Sequence, residues 1–131
     1  MPDQRDDDAR VIRLAIPAAP EFLRLARLAV ADVASRAGFS FDEIEDLRIG
    51  VDELCHLLMT PGADHHHLNL TFTLEAEGVS VEGEGPPVAA HAAVIQSDLS
   101  RTIVNAVADE HDVHRDGDVL RFRLLKRAPA R

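Results

Sequence analysis

The chain of 131 residues has no tryptophan, no tyrosine, one cysteine and one lysine. A lone Cys55 cannot close an internal disulfide, so the fold must stand on its apolar core, and the reducing cytoplasm is the default compartment. No stretch approaches the ~18 continuous apolar residues of a membrane span. The opening MPDQRDDDAR lacks the apolar centre of an export signal. Positive charge is also scarce. With 23 acidic against 14 basic side chains and a net charge of −9, neither nucleic acid nor an anionic membrane is the expected partner, and a basic protein surface fits better. Walker loops, the Rossmann fingerprint and the Gly-x-Ser-x-Gly elbow are missing too.

What remains suffices for one globular domain. Apolar residues make up 46% of the chain, and a chain of ~130 residues buries around two thirds of its unfolded surface without staples. Residues 1–10 read as a disordered acidic tail, 11–127 as a single domain and 128–131 as a loose C-terminal tail.

Ile12, Leu14 and Ile16 alternate with Arg13 and Ala15, the period of a strand buried on one face, and Pro17 and Pro20 end it. From Glu21 to Ala37 apolar residues recur at helical spacing, with Gly38 as the stop. Ser40 and Glu43 have capping-box spacing, and Phe39 with Ile44 can staple the start of a second helix near Phe41. Its core stripe is Ile44, Leu47, Val51, Leu54, Cys55 and Leu58, and Pro61-Gly62 marks its exit. Leu68 to Ala76 alternate as a strand and turn at Glu77-Gly78 into Val79 to Val81. Gly83, Gly85, Pro86 and Pro87 break regular structure, and the segment to Gln96 is either loop or short helix. Leu99, Ile103, Ala106 and Val107 predict a third helix, DEHDVH an irregular stretch, and Leu120, Phe122 and Leu124 a last strand. The order β, α, α, β, β, α, β predicts an α+β fold, a two-layer sandwich with helices on one face of a mixed, mostly antiparallel sheet.

On the second helix, Asp46, Ile49, Glu53 and Leu57 lie roughly opposite the Val51 stripe. A carboxylate between apolar neighbours in a cleft would have its pKa raised and suit general-base work. On an exposed helix face Glu53 would be an ordinary solvated residue. His65, His66 and His67 beside Asp64 look metal-capable, but consecutive histidines cannot all converge on one ion, so no metal site is expected. His111 and His114 read as surface residues. Cys55, on the core stripe, reads as a buried inert thiol.

Four segments taken in order resemble the anti-sigma-factor, serine-protein-kinase branch of the GHKL (Bergerat-fold) ATPases. They are RLAIPAAPEFLRLARLAV, DLRIGVDELCHLL, EGVSVEGEG and DGDVLRFRLLKR. The resemblance implies the histidine-kinase-like ATPase fold. It also implies a helix bearing Glu-x-x-x-Asn, in which the glutamate activates a nucleophile and the asparagine holds Mg²⁺. Glu53 matches the glutamate, whereas Leu57 stands at the asparagine position and offers a hard cation no oxygen. The family's Asp-x-Gly-x-Gly box matches at Gly83 and Gly85, with Val81 where an aspartate should accept from the adenine amino group. Sliding the register to Glu82 would turn the carboxylate to the other strand face. The glycine-rich phosphate cradle is replaced by Ser97-Asp98-Leu99-Ser100-Arg101.

The expectation is therefore a retained scaffold with a decayed nucleotide site, Glu53 vestigial and no cofactor. ATP and Mg²⁺ enter only under an alternative in which serine-kinase activity persists. The resemblance further implies partner switching between an alternative sigma factor and an anti-sigma antagonist, with homodimerisation typical of the branch. The partner-contacting arginine maps to Arg27, with Arg24 one turn earlier as a helper. Without that resemblance either arginine would read as an ordinary solvated cation.

Overall fold

The computed structural model describes residues 10–59, 65–88 and 96–128. In chain order these form β1 (Arg10–Pro17), a 3-10 turn (Pro20–Phe22), α1 (Leu23–Arg36), α2 (Phe41–Leu58), β2 (His67–Glu75), β3 (Gly78–Pro87), α3 (Asp98–Val107), β4 (Glu110–Asp116) and β5 (Val119–Arg127). The strands make one sheet in the order β1-β2-β3-β5-β4, and all four pairings are antiparallel. The parallel pairing that a mixed sheet would contain does not occur among the described residues.

Alternation along the strands decides which side is covered. Leu68, Leu70 and Phe72 of β2, Val79 and Val81 of β3, and Leu120, Phe122 and Leu124 of β5 share one buried cluster with the helices. The α2 stripe of Leu47, Val51, Leu54 and Leu58 and the α1 residues Ala26, Val30 and Val33 complete that core. On the opposite face, cross-strand register lines up Arg13, Thr71, Glu82, Arg123 and Asp112. Alternating charge in such a row suits a solvated sheet surface.

Local signals fix the helix ends. The α2 capping box forms: Glu43 N–H donates to Ser40 Oγ (3.2 Å), and Ser40 N–H donates to Glu43 Oε1 (2.8 Å). Gly38, at φ +80°, ends α1 in the left-handed region that a residue with a Cβ rarely adopts. Lys126, the only lysine, is largely buried. It donates to the Val107 carbonyl at the end of α3 (3.0 Å) and to Asp46 Oδ2 on α2 (3.5 Å), pinning both helices to β5. None of the described helices is long and apolar enough to cross a membrane.

Four readings of the sequence change. The DEHDVH stretch, residues 109–114, expected to be irregular, falls in strand β4 (Glu110–Asp116) from Glu110 on. Strand β4 holds one aliphatic residue, Val113, so no apolar period was visible, and pairing with β5 through the Gly117-Asp118 turn sustains it. Gly83, Gly85, Pro86 and Pro87 lie inside β3: Gly83 is paired to both β2 and β5, which outweighs its poor strand propensity, and Gly85 and Pro86 fall in a register irregularity before Pro87 pairs with Val119 of β5. In α3 the buried positions are Ser100 and Val104, while Leu99 points to solvent. Arg10 and Ala128, placed in the tails, are held: Arg10 opens β1, and the Ala128 N–H donates to the Glu77 carbonyl (2.8 Å). The remaining tail residues, Pro61-Gly62 and most of the uncommitted stretch before Gln96 lie outside the described residues.

Ser40→Ala removes the acceptor for the Glu43 N–H and should lower unfolding stability by about 1 kcal/mol. Urea denaturation checks this, with the midpoint falling at an unchanged slope.

Candidate functional site

Two flanks of α2 carry the residues singled out from the sequence. The first faces α3 and β5. A Cβ on Gly50 would sit 2.7 Å from Leu124 Cδ1 and 3.4 Å from Val107 Cγ2, and Asp46 reaches Lys126 on the same side. Helical spacing places Glu53 and Leu57 on this flank, one and two turns beyond Gly50. Both are half-buried, so the face expected to lie opposite the core stripe borders it instead; only Ile49 of the four is exposed. The Glu53 carboxylate makes no hydrogen bond or ion pair among the described residues. Leu57 packs against the core.

Strand β3 supplies the second group. Val81 is fully buried between its cross-strand neighbours Phe72 and Leu124, whereas Glu82 is exposed on the opposite sheet face. Gly83 has a packing reason for lacking a side chain: a Cβ there would lie 2.2 Å from Cε2 of the Phe122 ring. At Gly85 a Cβ would come within 3.0 Å of Leu58 Cβ and the Leu58 carbonyl oxygen, where the end of α2 meets the sheet. Close approach of an aromatic ring and a helix thus accounts for both glycines without a ligand.

At the start of α3 the Ser97 side chain accepts from the Ser100 N–H (3.0 Å), and Arg101 Nη1 lies 3.4 Å from Asp98 Oδ1. Gln96 Nε2 lies 3.5 Å from both Ser100 Oγ and His111 Nε2. Burial lowers the His111 pKa, helped by the Arg101 cation and opposed by Asp112. Leu57, Val81 and Asp98 stand at the positions for which the sequence resemblance implies a metal ligand, a base-reading aspartate and a phosphate cradle; Leu57 is half-buried, Val81 fully buried and Asp98 exposed.

The other flank of α2 faces α1. Arg27 Nη1 lies 2.6 Å from Asp52 Oδ1, and Arg48 Nη1 lies 2.6 Å from Glu45 Oε1. Ile49 stands exposed beside them, and Leu25 and Leu28 of α1 are exposed too. Arg24 is exposed and makes no polar contact among the described residues. Sequence reasoning found Arg24 and Arg27 but not Asp52, whose tie to Arg27 depends on how the two helices pack. Cys55 is fully buried; burial, then the Asp52 charge, pushes its thiol pKa well above the ordinary range, leaving no thiolate nucleophile at neutral pH. His65, His66 and His67 are exposed; Asp64 lies outside the described residues, and among those described no three His, Cys, Asp or Glu side chains could hold a metal ion.

Three helices over one face of a five-stranded antiparallel sheet match the histidine kinase-like class of ATPase folds. A family model described as the histidine kinase-like ATPase domain matches residues 16–124, and the chain belongs to that family. Its relatives lie in the serine-protein-kinase branch. It is similar to the serine-protein kinase RsbW of Bacillus subtilis (strain 168), with 47% identity over 49 residues, 37% of this chain and 31% of that protein. RsbW of Listeria monocytogenes serotype 4a is 55% identical over 42 residues, 32% of this chain and 27% of that protein. The matched stretches thus span less than a third of these relatives. The fold also resembles the crystal structure of the RsbU and RsbW domains of Rv1364c from Mycobacterium tuberculosis. That likeness has a TM-score of 0.68 at 11% identity and covers 93% of this chain and 33% of that one.

Gly83→Ala should cost about 1–3 kcal/mol of stability by overpacking against Phe122. Thermal or urea unfolding measures it; an unchanged midpoint would mean that the ring moves aside.

Proposed function

We propose that this chain is an anti-sigma-type regulator that acts by docking to protein partners, with nucleotide binding reduced or lost. The observation that carries the reading is the pair Leu57 and Val81. One leaves a metal without an oxygen ligand on α2, and the other puts a fully buried hydrocarbon where a base-reading carboxylate is needed. Glu53 is then a vestige of a catalytic base, and Gly83 and Gly85 persist for packing.

Docking needs none of those groups. An alternative sigma factor is held on the α1 face around Arg27 and Arg24, and an anti-sigma antagonist competes for the same region. Arg27 suits this role because its planar fork can hold a carboxylate through paired bonds, and Ile49, which lines the same groove, adds exposed apolar surface beside it. The overall charge of −9 favours encounter with a basic partner surface. The second reading is an ATP-dependent serine-protein kinase acting on the antagonist, with Glu53 as base. It is supported by the half-buried Glu53 carboxylate, which has no partner among the described residues.

Titrating the purified chain with magnesium-ATP in a calorimeter separates the two. The docking reading expects no heat at millimolar nucleotide, and micromolar binding would favour the kinase. Arg27→Glu should weaken capture of the sigma partner at least tenfold, about 1.4 kcal/mol, with the circular dichroism spectrum unchanged. Unaltered affinity in a pull-down titration would remove Arg27 from the interface.

A further inference from the structure

Arg27 is already occupied. Its guanidinium holds the Asp52 carboxylate at 2.6 Å, with both side chains about one third exposed. Asp52 is also approached by His56, whose ring Nδ1 bonds the Asp52 carbonyl oxygen (2.8 Å) and lies 3.6 Å from Oδ2. Beside this pair a shallow cavity of about 150 Å³ is lined by Arg27, Glu45, Arg48, Ile49 and Asp52. Ile49 is 45% exposed and Leu28, next to Arg27, is 58% exposed. The groove thus offers a guanidinium already shaped around one carboxylate, with aliphatic surface next to it.

We propose that Asp52 is an intramolecular stand-in for a partner's carboxylate. Docking exchanges Asp52 at Arg27 for an aspartate or glutamate of an amphipathic protein segment whose aliphatic side chain packs on Ile49, and Asp52 thereby sets the affinity of this face. The exchange replaces like with like, since the incoming carboxylate makes the bonds that Asp52 gives up. The lining sets two guanidiniums, Arg27 and Arg48, against two carboxylates, Glu45 and Asp52, so one incoming carboxylate that takes the place of Asp52 keeps the charges balanced, whereas a polyanion does not. The Arg27–Asp52 pair is partly exposed, so it is weak enough to open and acts as a threshold rather than a lock. This rests on the docking reading above and adds to it the chemistry of the contact.

The test has two arms. In the first, the chain alone is treated with the arginine reagent p-hydroxyphenylglyoxal, and modification of Arg27 relative to Arg24 is read by peptide mass mapping. Asp52→Asn and Asp52→Ser, both checked for native circular dichroism, should raise that ratio at least threefold. A ratio unchanged in both variants would overturn the proposal. In the second arm, binding is measured to the sigma factor that co-purifies with the chain from its host. Asp52→Asn should tighten it three- to fivefold. If Arg27→Glu weakens binding tenfold while Asp52→Asn leaves it unchanged or weaker, the stand-in role fails and the docking reading stands. If Arg27→Glu has no effect, the docking reading itself fails.

Discussion

The rotational setting of α2 on the sheet governs both candidate sites. Leu47, Val51, Leu54 and Leu58 are almost entirely buried against the strands, and Gly50 lets the helix come within side-chain contact of Leu124 and Val107. Burying such side chains is worth roughly 1.5–3 kcal/mol each, so the helix cannot roll without exposing them. With that stripe fixed, one flank must face α3 and the other α1. Asp46, Glu53 and Leu57 fall on the first, and Glu45, Arg48 and Asp52 on the second.

The two flanks have diverged in chemistry. The flank toward α3 carries Asp46, bonded to Lys126, and Glu53, with Leu57 packed against the core. The flank toward α1 is rich in paired charge and exposed aliphatic surface. Because the core stripe between them carries the stability, residues on either flank of this helix can change without unsettling its packing on the sheet. This is the physical basis for separating docking from nucleotide chemistry in one small domain.

Much of this was legible in the sequence wherever the signal is local. The capping box at Ser40 and Glu43, the strand alternation from Leu68 to Leu74, and the placement of Cys55 in the core all follow from spacing within a few residues. The opposite facings of Val81 and Glu82 follow from the two-residue period of a strand. What was not legible depends on partners distant in the chain. β4 exists because β5 pairs with it, and β3 runs through Gly83 because two neighbours hold its backbone there. Leu99 rather than Ser100 seemed the inward residue of α3 because hydrophobicity alone does not fix the helix's roll. The contact between Arg27 and Asp52 joins residues 25 positions apart and required the packed helix pair.

The central claim is that this scaffold docks its protein partner without reference to nucleotide. The affinity of the chain for the sigma factor proposed as its partner, measured in the presence and absence of saturating magnesium-ATP, tests it most directly. The account predicts the same dissociation constant in both conditions; a tenfold or larger difference would contradict it.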